Sequence, residues 1–187
     1  MAIQIGAKRD SGFEDPIGML TDCHRRIEHF VDILCMVVER AQHRALNDEE
    51  ARAIEVALEY FRVGGARHNA DEEESLFPRL GGRTGEESIV ELDGLKQDHQ
   101  TAGSLHTAVE NLYRKWLTDQ TLDVADWQAL SVATKKLKAL YAVHIQVEEQ
   151  VVFPRASKTL DDETIQLIGQ EFRNRRAQGA VPNSTDQ

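Results

Sequence analysis

One twelve-residue pattern occurs twice in this chain. His68-Asn69-Ala70-Asp71-Glu72-Glu73-Glu74-Ser75-Leu76-Phe77-Pro78-Arg79 aligns without gaps on His144-Ile145-Gln146-Val147-Glu148-Glu149-Gln150-Val151-Val152-Phe153-Pro154-Arg155. Both read H-x-x-x-E-E-x-x-[LV]-F-P-R. A spacing of four puts His and the first Glu one turn apart on one helix face. Imidazole nitrogen beside carboxylate oxygen is a donor set for Fe, Mn or Zn, and the affinity order alone does not choose among them. One such pair is also a common surface ion pair, so the chemistry depends on what else faces it. His24 and His99 stand 75 positions apart, against 76 for His68 and His144. The second half of the chain therefore repeats the first.

Helices must position these residues, and the sequence marks four. Asp15-Pro16 opens the first, with Pro where a missing N–H is harmless, and it runs to about Leu46. Asn47-Asp48-Glu49-Glu50 is a capping-box start for the second, which is expected to end at Phe77-Pro78 before the loop Gly81-Gly82-Arg83-Thr84-Gly85. The third starts near Glu86-Glu87 and ends around Leu117. Asp123 or Asp126 caps the fourth, expected to stop at Phe153-Pro154. Apolar residues alternate in steps of three and four along each segment. The seams are Ile17, Leu20, His24, Ile27, Val31, Leu34, Val38; Ile54, Leu58, Phe61, Gly65, His68, Glu72; Leu92, Leu95, His99, Ala102, His106, Val109, Tyr113, Trp116; and Leu137, Tyr141, His144, Glu148, Val151.

Four amphipathic helices with short connections predict an all-α, up-down-up-down antiparallel four-helix bundle. Its expected extent is 15–156, after an N-terminal arm at 1–14. Residues 157–187 are expected to form a short fifth helix, Leu160 to Gln178, and a frayed end, Gly179 to Gln187.

On each seam a polar residue interrupts the apolar run. A buried polar group without a partner costs a few kcal/mol, so six of them must satisfy one another or something between them. His24, His68, Glu72, His99, His144 and Glu148 would converge in mid-bundle. Four imidazoles and two carboxylates are the ligand count of two metal ions bridged by Glu72 and Glu148.

Other groups near this layer have lesser expected roles. Glu73 and Glu149 sit next to ligands and are placed to accept hydrogen bonds from ligating rings. Apart from Glu72, the run Asp71-Glu72-Glu73-Glu74 reads as a mostly solvated acidic face. His106 is seven residues from His99, about 10.5 Å along a helix, too far to share the metal pair, and reads as a hydrogen-bonded core residue. His29 and His43 are expected to be exposed. Antiparallel register puts Gly65, Gly103 and Tyr141 one turn from the ligand layer. Two readings stand for Tyr141: a phenol reaching toward the metals, or a core tyrosine bonded to a backbone carbonyl.

These residues resemble the hemerythrin-like (HHE cation-binding) family over about Asp15 to Ala156. The resemblance implies that the six residues are ligands of two non-heme iron ions, with Glu72 and Glu148 bridging; it is the resemblance alone that argues for iron. Oxygen-carrying members have a second His four residues after the one on the third helix, where this chain has Gly103. Their last carboxylate is an Asp five after the His; here seam phase and repeat favour Glu148, at four. The pattern is closer to bacterial HHE proteins, including di-iron proteins of iron-sulfur-cluster repair, whose added N-terminal cysteine-containing domain this sequence does not show. One imidazole fewer implies an open or water-filled iron position. The implied function is binding or sensing of O₂ or NO. The alternatives are a redox enzyme or iron donor in nitrosative or oxidative stress repair, and a bundle whose metal is purely structural.

Composition narrows the partners. Of 187 residues, 32 are acidic and 22 basic, a formal net charge of −10, which argues against nucleic acid or an anionic membrane. No apolar run approaches the ~20 residues of a membrane span, and the N-terminus lacks the basic and apolar regions of a secretory signal. The expected location is the cytoplasm. Cys23 and Cys35 are about 18 Å apart along one helix, too far to pair within it, and read as ordinary reduced thiols.

Overall fold

The structure is a computed structural model that describes residues 10–81 and 91–178. Five helices account for nearly all of the described chain: α1 (Pro16–Ala41), α2 (residues 48–80), α3 (Glu91–Asp119), α4 (residues 124–159) and α5 (Asp162–Gln178). α1 to α4 form the antiparallel bundle, with α1 against α2 and α4, and α3 against α2 and α4. The start expected for the third helix, most of the loop before it, and the frayed end lie outside the described residues.

Helix starts follow their capping chemistry. Asp15 accepts from the Gly18 N–H at 2.9 Å, with Pro16 in the first turn. Asn47 and Glu50 make a reciprocal capping box, and Arg44 pairs with Glu50. Asp123 accepts from Asp126 N–H and Asp161 from Thr164 N–H, both at 2.8 Å. These side chains satisfy amides that a helix N-terminus otherwise leaves without partners.

The helix ends differ from expectation in an instructive way. α2 runs through Pro78 to Leu80, and α4 runs through Pro154 to Thr159. Proline inside a helix removes one bond and crowds the carbonyl four residues back. In both repeats the turn just before the proline is π-helical, at Asp71–Leu76 and Glu148–Val152. The Phe77 N–H donates to the Glu72 carbonyl and the Phe153 N–H to the Glu148 carbonyl, each five residues back. The wider turn carries the chain past the proline without ending the helix. It also shifts the buried face by one residue: Val151, expected on the seam, is 39% exposed, and Val152 is buried in its place. A third π turn spans Phe61–Gly65 in α2.

The core is divided in two. One apolar cluster runs from Ile27 on α1 through Leu58, Phe61, Val109, Tyr113 and Trp116 to Tyr141 and Ile145. The other holds Leu20, Leu76, Phe77, Leu80, Leu92, Leu95, Val152 and Phe153, with Ile168 and Phe172 from α5. The six polar seam residues form the layer between them. Tyr113 and Trp127 tie α1 to its neighbours, donating to the Leu34 and Val38 carbonyls.

α5 closes the second cluster. Gly169 lies against the chain at Phe13 so tightly that a Cβ there would sit 1.9 Å from the Phe13 carbonyl oxygen. Arg173 and Arg176 stack over the Phe13 ring. Among the described residues no helix is long and apolar enough to cross a membrane.

Candidate metal centre

All six polar seam residues are buried, from 0% exposed for Glu72 and Glu148 to 6% for His99. Their ligand atoms form two groups of four: His24, His68, Glu72 and Glu148, and His99, His144, Glu72 and Glu148. Within each group the atoms lie within 4.8 Å of one another. The two carboxylates belong to both groups, so the groups are adjacent and share an edge.

Contacts across the layer are short. His24 Nε2 lies 3.0 Å from Glu148 Oε2 and 4.0 Å from Glu72 Oε1. His68 and His99 place Nε2 3.4 Å from opposite oxygens of Glu72, and His144 Nε2 is 3.3 Å from Glu148 Oε1. Nε2 of His99 and Nε2 of His144 face each other at 3.1 Å.

The outward nitrogens decide which way the rings are protonated. His24 Nδ1–H donates to Glu149 at 2.9 Å, and His99 Nδ1–H donates to Glu73 at 2.6 Å. His144 Nδ1–H donates to Asp98 at 3.3 Å. With the proton held on Nδ1, the Nε2 lone pair is left pointing into the layer.

Each part of the repeated motif now has a place. Its His and first Glu face inward. Its second Glu crosses to a neighbouring helix, Glu73 to His99 and Glu149 to His24. Its Phe lies flat against that same ring, Phe77 on His99 and Phe153 on His24, with interplanar angles of 5° and 9°. The two halves brace each other reciprocally.

Electrostatics show what the layer lacks. Burial pushes the Glu72 carboxyl well above the usual range, and the Glu148 charge adds to this. Burial opposes the Glu148 charge too, but His144 and His24 beside it hold its pKa below the ordinary value. Burial lowers His68 to about 3, with the neighbouring His24 as a further cause. Burial likewise lowers His99. His144 resists its burial and is raised by Glu148 and Asp98.

Despite the short distances, both oxygens of Glu72, both oxygens of Glu148 and Nε2 of His24 are buried without a hydrogen-bond partner among the described residues. Leaving such atoms unsatisfied costs roughly 1–3 kcal/mol each, more when charged. Divalent cations satisfy all of them at once, and mixed N/O donors suit Fe, Mn or Zn. The residues fit metal, in two adjacent positions.

The family comparison agrees: the sequence model described as the hemerythrin HHE cation binding domain matches residues 15–156. The chain belongs to the hemerythrin HHE family. No curated protein gives a significant match. This hemerythrin-domain chain is thus an all-α bundle of a metal-binding family, with a C-terminal helix added and a His/Glu layer able to hold cations.

The remaining groups fall as follows. The Tyr141 hydroxyl is hydrogen-bonded to His106 Nε2 at 2.8 Å, so its partner is a side chain and not a backbone carbonyl. The pair borders a cavity of about 220 Å³ between α2 and α3, with Gly65, Asn69, Ala102 and Gly103 also in its wall. Burial lowers His106 to about 4 and pushes the Tyr141 phenol up. His29 and His43 are exposed.

Two features escaped the sequence reading. Asp98, the acceptor behind His144, directly precedes His99 but gives no periodic signal, being 40% exposed. Asp71 corrects the reading of its run as solvated: it is 0% exposed, paired with Arg175 and Arg176 of α5. Arg175 also reaches Glu74 and Ser75, and Arg79 pairs with Glu171. These pairs dock α5 on the π turn that carries Glu72.

Proposed function

We propose that this chain is a non-heme di-iron protein of the cytoplasm that binds or senses a diatomic ligand, O₂ or NO. His24, His68, His99 and His144 would hold two iron ions, with Glu72 and Glu148 bridging them. The observation that carries this reading is the pair of four-residue groups sharing two buried carboxylates whose oxygens otherwise lack partners. Bound iron would supply reversible redox chemistry and affinity for a diatomic molecule.

The protein's own residues supply the rest. Glu73, Glu149 and Asp98 hold ring protons on Nδ1, which fixes the direction of each Nε2. Phe77 and Phe153 shield the layer from one side. The cavity walled by Gly65, Gly103, His106 and Tyr141 supports the small-ligand reading, since it leaves space one turn from the ligand layer. The acidic surface disfavours nucleic acid as a partner.

The test is anaerobic reduction of the iron-loaded protein followed by O₂ or NO, watched by visible absorption. A stable adduct is the expected result. Catalytic turnover would point instead to a redox enzyme, release of iron to an iron donor, and an unchanged spectrum to a structural metal.

A further inference from the structure

The repeat makes the two halves of the layer comparable position by position, and the comparison fails at one place. Glu73 and Glu149 are equivalent in the repeat and perform equivalent work on His99 and His24. His68 and His144 are likewise equivalent, yet their outward nitrogens are not served alike. Nδ1 of His144 donates to Asp98. Nδ1 of His68 is buried and has no hydrogen-bond partner among the described residues.

The sequence explains the difference. Asp98 stands immediately before His99, and the corresponding place before His24 is Cys23. A thiol is only a weak acceptor, and the Cys23 sulfur already receives a hydrogen bond from Arg26 at 3.3 Å. The layer thus has three braced imidazoles and one, His68, without a brace among the described residues, and that one belongs to the group made with His24.

We infer that the two metal positions are inequivalent: the His99/His144 position holds its ion more tightly than the His24/His68 position, with Asp98 and Cys23 as the residues that set the difference. This rests on the di-metal reading above and deepens it. Asp98 is a positioning residue, acting through the His144 ring, which it orients and makes more basic. Loss of such an acceptor typically weakens metal binding by about 10–100-fold. A chain short of metal therefore fills the His99/His144 position first, and a loaded chain loses the other ion first.

The experiment is chelator competition on protein loaded with two equivalents of Co(II), reading metal retained per chain against EDTA concentration. The expected wild-type result is two release steps separated by at least about tenfold in chelator. Asp98→Ala, at a partly exposed helical position where Ala is well tolerated, should bring the steps together by moving the later one to lower EDTA. Cys23→Asp, beside Arg26, should bring them together by moving the earlier one to higher EDTA. A single wild-type step with two equivalent ions, or an unchanged separation in Asp98→Ala, would overturn the inference while leaving the di-metal reading intact. Failure to retain two ions before any EDTA is added would instead overturn that reading.

Discussion

Nη2 of Arg176 on α5 donates to Oδ2 of Asp71 on α2 at 2.7 Å, across 105 positions of the chain. Asp71 is fully buried, directly precedes Glu72, and also receives Arg175. The C-terminal helix is therefore coupled to the metal layer through one carboxylate. Burial raises the Asp71 pKa, and the two arginines oppose that rise.

Replacing both Arg175 and Arg176 by Ala strands a buried charge. The expected cost is about 3–5 kcal/mol of stability, measured by urea unfolding of the metal-loaded protein. Adding Asp71→Asn to that variant should recover a large part of the loss. No recovery would mean that the arginines act through surface packing alone.

Metal removal should destabilise the bundle, because the buried oxygens of Glu72 and Glu148 are then left without partners among the described residues. At metal concentrations a thousandfold above Kd, binding adds about 4 kcal/mol, or roughly 8–16 °C in a chain of this size. Differential scanning calorimetry with and without chelator measures this. An unchanged Tm would show that the apo layer is self-sufficient.

His106 gives a pH dependence of definite sign. Its folded pKa is lowered to about 4 by burial, while an unfolded His titrates near about 6.5. Between these values the unfolded chain binds more protons, so this contribution is present above about pH 6.5 and lost as pH falls toward 4. The loss is at most about 3.4 kcal/mol. His106→Gln, which keeps a partner for Tyr141 and does not titrate there, should flatten the fall in stability over that window. An identical pH profile in the variant would contradict the assignment.

Gly103 is exposed, and no atom of the described residues lies within 4 Å of a Cβ placed there. Gly103→Ala should stabilise the helix by up to about 1 kcal/mol with metal content unchanged. Gly103→Leu narrows the cavity beside Tyr141 and should slow ligand association in stopped-flow measurements. Equal association rates would mean that the ligand enters elsewhere.

The layer was readable in the sequence because burial and periodicity leave a local signature. His24, His68, Glu72, His99, His144 and Glu148 fall on seams that are otherwise mostly apolar. The repeat doubles that signal, which is why the architecture was also readable. The π turns were not, because a proline suggests a helix end and only the preceding wide turn shows the chain continuing. Val151, on the seam by spacing, turns outward for the same reason. Asp98 and Asp71 were hidden for another: each draws its role from a residue on a different helix, His144 in one case and Arg175 and Arg176 in the other. Spacing within one helix carries no record of such partners.

Glu72 and Glu148 are proposed to be shared by two metal ions in this layer. Elemental analysis of protein produced in iron-supplemented cells tests it most directly. Two iron ions per chain are expected, falling to one or none in Glu72→Ala. One ion or none in the wild type, or two retained in Glu72→Ala, would contradict it.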